Sequence, residues 1–364
     1  MSGRRRRRGL AAVLAAAVAV VAMVELGDAA APGQAVGVFP APSQPIAALG
    51  GLGSGRGAPA SPSRSAGVTW VGGPTVAGTG ETVMVYVSTS LPPESGTPQT
   101  WADYFAGLLH GPELSSLTVY IASYEEVQEL CARQDVVGCY GGGRLTTIGE
   151  SLPWVDRGEV ASHEYGHHVA ANRNNDPWQA VNWGAKRWAT AANVCARTAG
   201  GSAFPGDQGE RYRLNPGEGF AEVFRVMNEA KRGSTSFKWQ TVDPSFYPSQ
   251  AALQAAERDV VDPWTAPAAT TVRGAFVPRG KKIWTLRVAT PLDGRLTLRL
   301  VLPATRPYGL SLVSADGKTV LANGLWSSAK EKTLTFTICG QRSVLVRVSL
   351  GGPAGRFSLV TKKP

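Results

Sequence analysis

Three of the four histidines in this 364-residue chain fall within six residues of one another, in Val160-Ala-Ser-His-Glu-Tyr-Gly-His-His-Val-Ala170. His163, Glu164 and His167 form the pattern HExxH. On an α-helix, positions i and i+4 stack on one face. His163 and His167 can therefore each direct a ring nitrogen at one ion. Glu164 is displaced by one position and reaches the ion's bound water rather than the ion. Two ligands and a general base are thus assembled on one helix, as metal-assisted hydrolysis requires. The flanking Val160, Ala161, Val169 and Ala170 suit a buried helix, and Asp156 is placed to cap its start. The competing reading is a helix whose histidines are merely hydrogen-bonded, and a third ligand decides against it.

An extended HExxHxxGxxH pattern would need glycine and histidine where Ala170 and Arg173 stand. His168 points from the wrong side of the helix, and His110 lies in a Leu-His-Gly-Pro turn well upstream. A later carboxylate is favoured. Asn215-Pro-Gly-Glu-Gly-Phe-Ala-Glu-Val-Phe-Arg225 supplies two, Glu218 and Glu222, one helical turn apart on one face. Asn215 suits the cap and Pro216 the first turn. Spacing alone lets either glutamate be the ligand. The small residues beside Glu218 favour it for the metal, which leaves Glu222 to accept the other N–H of a ligand histidine and fix its tautomer. The bland alternative, a solvated acidic helix face, competes with the packing of Phe220, Ala221, Val223 and Phe224 around the pair.

HExxH followed some fifty residues later by a helical Glu-x-x-x-Glu resembles the gluzincin group of zinc metallopeptidases. The stretch Glu218-Gly-Phe-Ala-Glu222-Val-Phe-Arg is most similar to the third-ligand helix of the anthrax lethal factor type. The resemblance implies Zn2+ as cofactor, His163, His167 and Glu218 as ligands and a protein or peptide substrate. It also implies a zincin-like catalytic domain. In that type a tyrosine shortly before the ligand glutamate stabilises the transition state, which makes Tyr212 the corresponding candidate. A tyrosine in a polar loop is the competing reading.

The rest of the first 265 residues reads as α+β. Residues 81–88 and 117–122 alternate as strands, while 101–109 and 124–131 read as helices. Residues 143–149 suit an edge strand able to pair with a peptide backbone. Residues 177–197 read as one long helix, with Asp176 as cap and Pro177 at its first position. Its Trp178, Trp183 and Trp188 are read as packing residues rather than a sugar platform.

Beyond residue 265 the pattern and the charge both change. Residues 67–265 hold 14 basic and 22 acidic side chains, whereas residues 266–364 hold 16 basic and 3 acidic. Opposite charge in two segments argues for separate units with separate tasks. Short alternating strands, with Asp316-Gly317 as a hairpin turn, predict seven or eight strands in a small β-sandwich. Their order resembles the bacterial pre-peptidase C-terminal domain. The excess of cations suggests an anionic partner, whether an anionic cell-surface polymer, lipid headgroups or the acidic 67–265 segment, and a basic surface kept for solubility is the competing reading. The fold class expected is therefore an α+β zincin-like catalytic domain (67–265) followed by an all-β sandwich (266–364).

Arg4 to Arg8 precede an apolar run to Leu26, a charged n-region and an h-region. Residues 1–31 read as a signal peptide or an uncleaved anchor, and any membrane contact is expected there alone. Residues 32–66, nearly all Ala, Gly, Pro and Ser, read as a tether. Export to the cell surface or beyond puts the four cysteines in an oxidising compartment. Cys131 and Cys139 are spaced to close a small loop, and Cys195 and Cys339 remain for a longer bridge, though pairing does not follow from sequence. The expected function is an exported zinc endopeptidase with no specific nucleic-acid partner. The alternatives are a wall-binding protein with an inert enzyme-like domain and a metal hydrolase of cell-wall amide bonds.

Overall fold

Alternating apolar residues build the first sheet. In the computed structural model, which describes residues 69–234, 239–324 and 329–364, β1 (Trp70–Val76), β2 (Thr82–Ser88), β3 (Thr118–Ala122), β4 (Gly138–Gly141) and β5 (Arg144–Ile148) pair in the order β1-β2-β3-β5-β4. The expected leader and tether lie outside the described residues. β2, β3 and β5 run parallel, and β1 and β4 are antiparallel edges. Val83, Val85, Val119, Ile121 and Leu145 are fully buried, as period-2 patterning dictates. The crossovers carry α1 (Pro98–Ala106) and α2 (Tyr124–Leu130), opened by capping boxes at Thr97/Thr100 and Ser123/Glu126.

The expected edge strand at 143–149 is not an edge. Residues Arg144–Ile148 form β5, flanked on both sides, and the edge is β4. Gly142 and Gly143, at φ 58° and 82°, fold the chain back into a hairpin, which sets Gly138–Gly141 outside β5. The Cys131–Cys139 disulfide ties β4 to the end of α2.

α3 (Arg157–Ala171) follows, with a short hairpin of β6 (Asn174–Asn175) and β7 (Trp178–Gln179) after it. The single helix expected over 177–197 is instead three short ones, α4 (Ala180–Trp183), α5 (Lys186–Ala191) and α6 (Val194–Ala199). Gly184 and Asn193 adopt left-handed backbone, at φ 76° and 53°, and break the run at both places. Asp176–Pro177 forms a cis peptide in the β6–β7 turn, not a helix start. Trp178 stacks on Trp183 with ring centroids 4.6 Å apart. Trp188 is buried against Phe220 and Phe246. All three tryptophans thus engage other aromatic rings or the core.

Two longer helices complete this part, α7 (Pro216–Lys231) and α8 (Gln250–Val261). α5 has no side-chain cap of its own. Asp259 of α8 supplies one from across the fold, accepting from the N–H groups of Arg187 and Trp188 at 3.1 and 2.8 Å.

The remaining chain contains β8 (Ala268–Ala275), β9 (Ile283–Ala289), β10 (Gly294–Val301), β11 (Tyr308–Ser314), β12 (Val320–Asn323), β13 (Glu331–Ile338), β14 (Ser343–Leu350) and β15 (Arg356–Lys363). They make two antiparallel four-stranded sheets, ordered β13-β10-β15-β8 and β12-β11-β14-β9. Inward residues of both, among them Leu296, Leu298, Leu310, Val346 and Leu359, share one core. The Cys195–Cys339 disulfide joins this region to α6. Beside it, Asp293 receives Arg342 Nη1 at 2.6 Å, and its N–H donates to Thr190 Oγ1 at 3.1 Å. Among the described residues, no helix is long and apolar enough to cross a membrane.

Candidate functional site

α3 begins where the sequence puts it. Asp156 accepts from the Gly158 N–H and forms a capping box with Glu159. From that start, His163, Glu164 and His167 all fall on the buried part of the helix. α7 is started by Asn215, whose side chain accepts from the Gly217 N–H, with Pro216 in the first turn. The two helices pack closely. A Cβ on Gly166 would sit 2.8 Å from Ala221 Cα, so only glycine admits this approach. Gly166 lies between the two histidines and Ala221 between the two glutamates, so the contact brings both pairs to one place.

His163 Nε2 and His167 Nε2 lie 3.2 and 3.1 Å from the same oxygen of Glu218, Oε2. One donor atom from each of the three residues lies within 4.8 Å of the others, and all three side chains are buried. Tyr212, in a 3-10 turn just before α7, donates its hydroxyl to Glu218 Oε2 at 2.8 Å. Gln208 Nε2 donates to Glu218 Oε1 at 3.3 Å. Burial opposes the charge on Glu218, yet His167 and His163 hold its carboxyl far below the usual range.

Glu222 lies on the other side of His163. Its Oε2 is 3.6 Å from His163 Nδ1, an ion-pair contact slightly longer than a hydrogen bond. Arg225 grips the same carboxylate with two bonds, Nε to Oε2 at 2.9 Å and Nη2 to Oε1 at 2.6 Å. Burial disfavours the charge, but Arg225 first and His163 second bring the carboxyl down to about 2. Arg225 also reaches Glu159 of α3 at 3.3 Å and the Trp239 carbonyl at 2.9 Å. The Trp239 ring stands edge-on to His163, with centroids 5.1 Å apart.

Glu164 differs from the other carboxylates. It is fully buried, and neither oxygen has a hydrogen-bond partner among the described residues. Burial pushes it up to about 8, with His167 opposing and Glu218 adding to the shift. Unpartnered buried carboxylates are costly and rare. An unsatisfied carboxylate one residue from a buried His-His-Glu cluster is the arrangement expected of a group that acts on something not part of the fold.

The two histidines outside the cluster have other partners. His168 contacts the Tyr140 hydroxyl at 3.1 Å and the Glu113 carbonyl at 2.8 Å, and His110 lies 3.8 Å from Glu81. All the residues singled out from sequence, His163, Glu164, His167, Tyr212, Glu218 and Glu222, are brought together. Sequence reading assigned no role to Arg225, Glu159, Gln208 or Trp239. Arg225 carried a readable signal, an acid–base pair at i and i+3 with Glu222. Trp239 carried none, because its place depends on the chain's return after α7.

No protein-family model and no curated protein matches the chain. Among solved structures, the chain is similar to the pre-peptidase C-terminal domain of a collagenase from Bacillus anthracis, at 17% identity, 25% coverage of this chain, 87% of that chain and a TM-score of 0.21. It is also similar to PliG, a periplasmic inhibitor of g-type lysozyme from Aeromonas hydrophila, at 9% identity, 27% and 86% coverage and a TM-score of 0.21. A third likeness is to the SPBc2 prophage-derived protein YomS, at 14% identity, 27% and 99% coverage and a TM-score of 0.18.

Proposed function

We propose that this protein is an exported zinc-dependent endopeptidase whose α+β part has a zincin-like fold. The observation that carries the reading is the convergence of His163, His167 and Glu218 on one buried point, with the unpartnered Glu164 carboxylate beside it. Two imidazoles and one carboxylate are a donor set suited to zinc, and three protein ligands leave a position open for substrate or water. Bound there, zinc supplies a Lewis acid that polarises a carbonyl and lowers the pKa of a water.

The chain's own residues account for the rest. Glu164 accepts a proton from the water whose oxygen attacks the scissile carbonyl carbon. It then delivers that proton to the amide nitrogen as the C–N bond breaks, leaving a carboxylate and an amine. Tyr212, with its hydroxyl at the Glu218 oxygen, is positioned to donate to the substrate oxygen as negative charge develops. Glu222, held by Arg225, orients His163 through its Nδ1 side. Export agrees with the two disulfides, which persist in oxidising compartments.

The test measures zinc content and casein hydrolysis of the purified protein and of Glu164→Gln. The expected result is one zinc per chain in both, with hydrolysis lost in the variant. A folded protein that takes up no zinc, or a Glu164→Gln variant as active as wild type, overturns the reading.

A further inference from the structure

The two-sheet region has 16 cations and three carboxylates, and all three carboxylates are engaged. Asp293 is buried and receives Arg342 and the Gly340 N–H. Asp316 accepts from the Lys318 N–H inside a turn. Glu331 pairs with Arg299 at 3.2 Å.

The cations divide unequally between the two sheets. On the β12-β11-β14-β9 sheet, Arg287 and Arg347 are spent on structure, donating to the carbonyls of Ala315 and Gly317 at 3.1 and 2.8 Å. On the β13-β10-β15-β8 sheet, strand alternation turns Leu296, Leu298, Leu300, Phe357 and Leu359 inward. Arg295, Arg299, Arg356, Lys362 and Arg273 therefore face outward. Arg273, Arg356 and Lys362 are exposed and have no hydrogen-bond or ion-pair partner among the described residues.

Arg273 pairs in register with Ser358, which makes Arg356 its diagonal neighbour. Such neighbours stand about 7–8 Å apart, and like charges at close cross-strand spacing repel. Two carboxylates stand at this face among the described residues, and each is beside another arginine: Glu331 of β13, two strands from β15, pairs with Arg299, and Asp176 lies 3.8 Å from Arg295. A depression of ≈ 640 Å³ opens beside the two arginines, its lining otherwise mostly apolar, with Val301, Leu302, Pro303 and Phe357, and Ser358 as its uncharged polar side chain. The fold thus keeps two guanidinium groups together, uncompensated, at the rim of a space far larger than an inorganic ion.

We propose that this sheet face binds an acidic polysaccharide, with carboxylates of the polymer between Arg273 and Arg356 and the chain running on toward Lys362. Guanidinium forks match carboxylates bidentately. The exposed hydroxyl of Thr271 lies two residues from Arg273 on the same side of β8, and exposed Thr333 of β13 stands opposite Arg299, which suits a hydroxyl-rich polymer. A bilayer fits less well, because Val71, Val76, Val261, Ile283 and Val320 belong to other elements, and Val277, two residues past β8, is a single large exposed apolar side chain beside the cations. Single-stranded nucleic acid would need aromatic platforms, and the outward residues of these four strands are Thr, Ser, Ala, Val, Glu331 and cations, with no aromatic ring. The inference goes beyond the hydrolase reading and does not depend on it, since no residue of the His163 cluster takes part.

The experiment titrates the purified full-length protein with polygalacturonate. Binding is expected at low ionic strength and is expected to weaken steeply above physiological salt, where the Debye length is about 8 Å. The triple variant R273Q/R356Q/K362Q should bind at least about tenfold more weakly, the combined loss of three exposed charge contacts. The variant K281Q/K282Q/K318Q removes the same charge from exposed turns and should change binding by less than about twofold. The single variants R273Q and R356Q, each melting like wild type, should each show part of the loss. Equal loss in both triple variants would show that net charge alone is responsible and would overturn the assignment of the face. So would no binding to polygalacturonate at low salt, or tighter binding to phosphatidylglycerol vesicles or single-stranded DNA.

Discussion

Glu218 and Glu222 are chemically identical, one turn apart and both buried, yet their surroundings assign them different work. Glu218 Oε2 meets both histidine Nε2 atoms and the Tyr212 hydroxyl. Glu222 meets His163 only on its Nδ1 side and is otherwise held by Arg225. Under the zinc reading, Glu218→Ala should abolish stable metal binding. Glu222→Ala should leave zinc in the site and lower affinity or activity by about 10–100-fold. Chelator competition on the two purified variants separates these outcomes. If Glu222→Ala empties the site while Glu218→Ala keeps its metal, the two roles are exchanged and the part given to Tyr212 goes with them. Sequence spacing put both glutamates on one face but left the choice open, because a helix face does not say what stands opposite it.

At the scale of elements, the site exists because α3 and α7 touch. Gly166 and Ala221 mark that contact, midway between the histidine pair and the glutamate pair. Gly166→Ala places a Cβ against backbone, which cannot turn aside as a flexible side chain can. Overpacking of this kind costs about 1–3 kcal/mol. The variant should fold with a lowered Tm and, under the zinc reading, bind zinc more weakly than wild type, since the strain is relieved by parting the two helices that carry the His-His-Glu cluster. Calorimetry together with zinc titration checks both effects, and unchanged zinc affinity would mean that the site adapts independently of the helix contact. The long helix expected over 177–197 failed at this same scale. Its composition is helical, but Gly184 and Asn193 take left-handed backbone, and α5 depends on Asp259 from α8 for its cap. A cap supplied from 71 or 72 residues away has no local signature.

At the scale of the molecule, the two-sheet region is tied to the α+β part by the Cys195–Cys339 disulfide, with polar contacts such as Asp293–Thr190 beside it. Cys195–Cys339 spans 144 residues. In the chain-entropy account a loop of this length restricts the unfolded state by about 5 kcal/mol. The double variant Cys195→Ser/Cys339→Ser should therefore be markedly less stable in urea. Under the zinc reading it should still bind one zinc, because His163, His167 and Glu218 all lie outside the two-sheet region. Loss of zinc in a still-folded double variant would show instead that the bridge holds the site in shape. The charge contrast between the two parts, read from composition, has a structural counterpart in where the cations go. Some are spent on turn carbonyls, and some are left exposed on one sheet face.

Local chemistry determined what could be read along the chain. The HExxH spacing, the Asp156 and Asn215 caps, the period-2 strands and the Asp316-Gly317 turn each act over fewer than about ten residues, the range of backbone hydrogen bonds and side-chain stacking. Those features sufficed for the α+β part, for the sheets that follow and for His163, Glu164, His167 and the pair Glu218 and Glu222, whereas Tyr212 was reached only through the family resemblance. Tertiary structure alone decided which strand is the sheet edge, how the cysteines pair and where the 177–197 segment breaks. It also made Arg225 the bridge between Glu222 and Glu159. The Cys195–Cys339 bridge, the Asp259 cap on α5 and the Arg225–Glu159 contact depend on groups far apart in sequence, whose meeting is set by packing of the whole core rather than by any local preference.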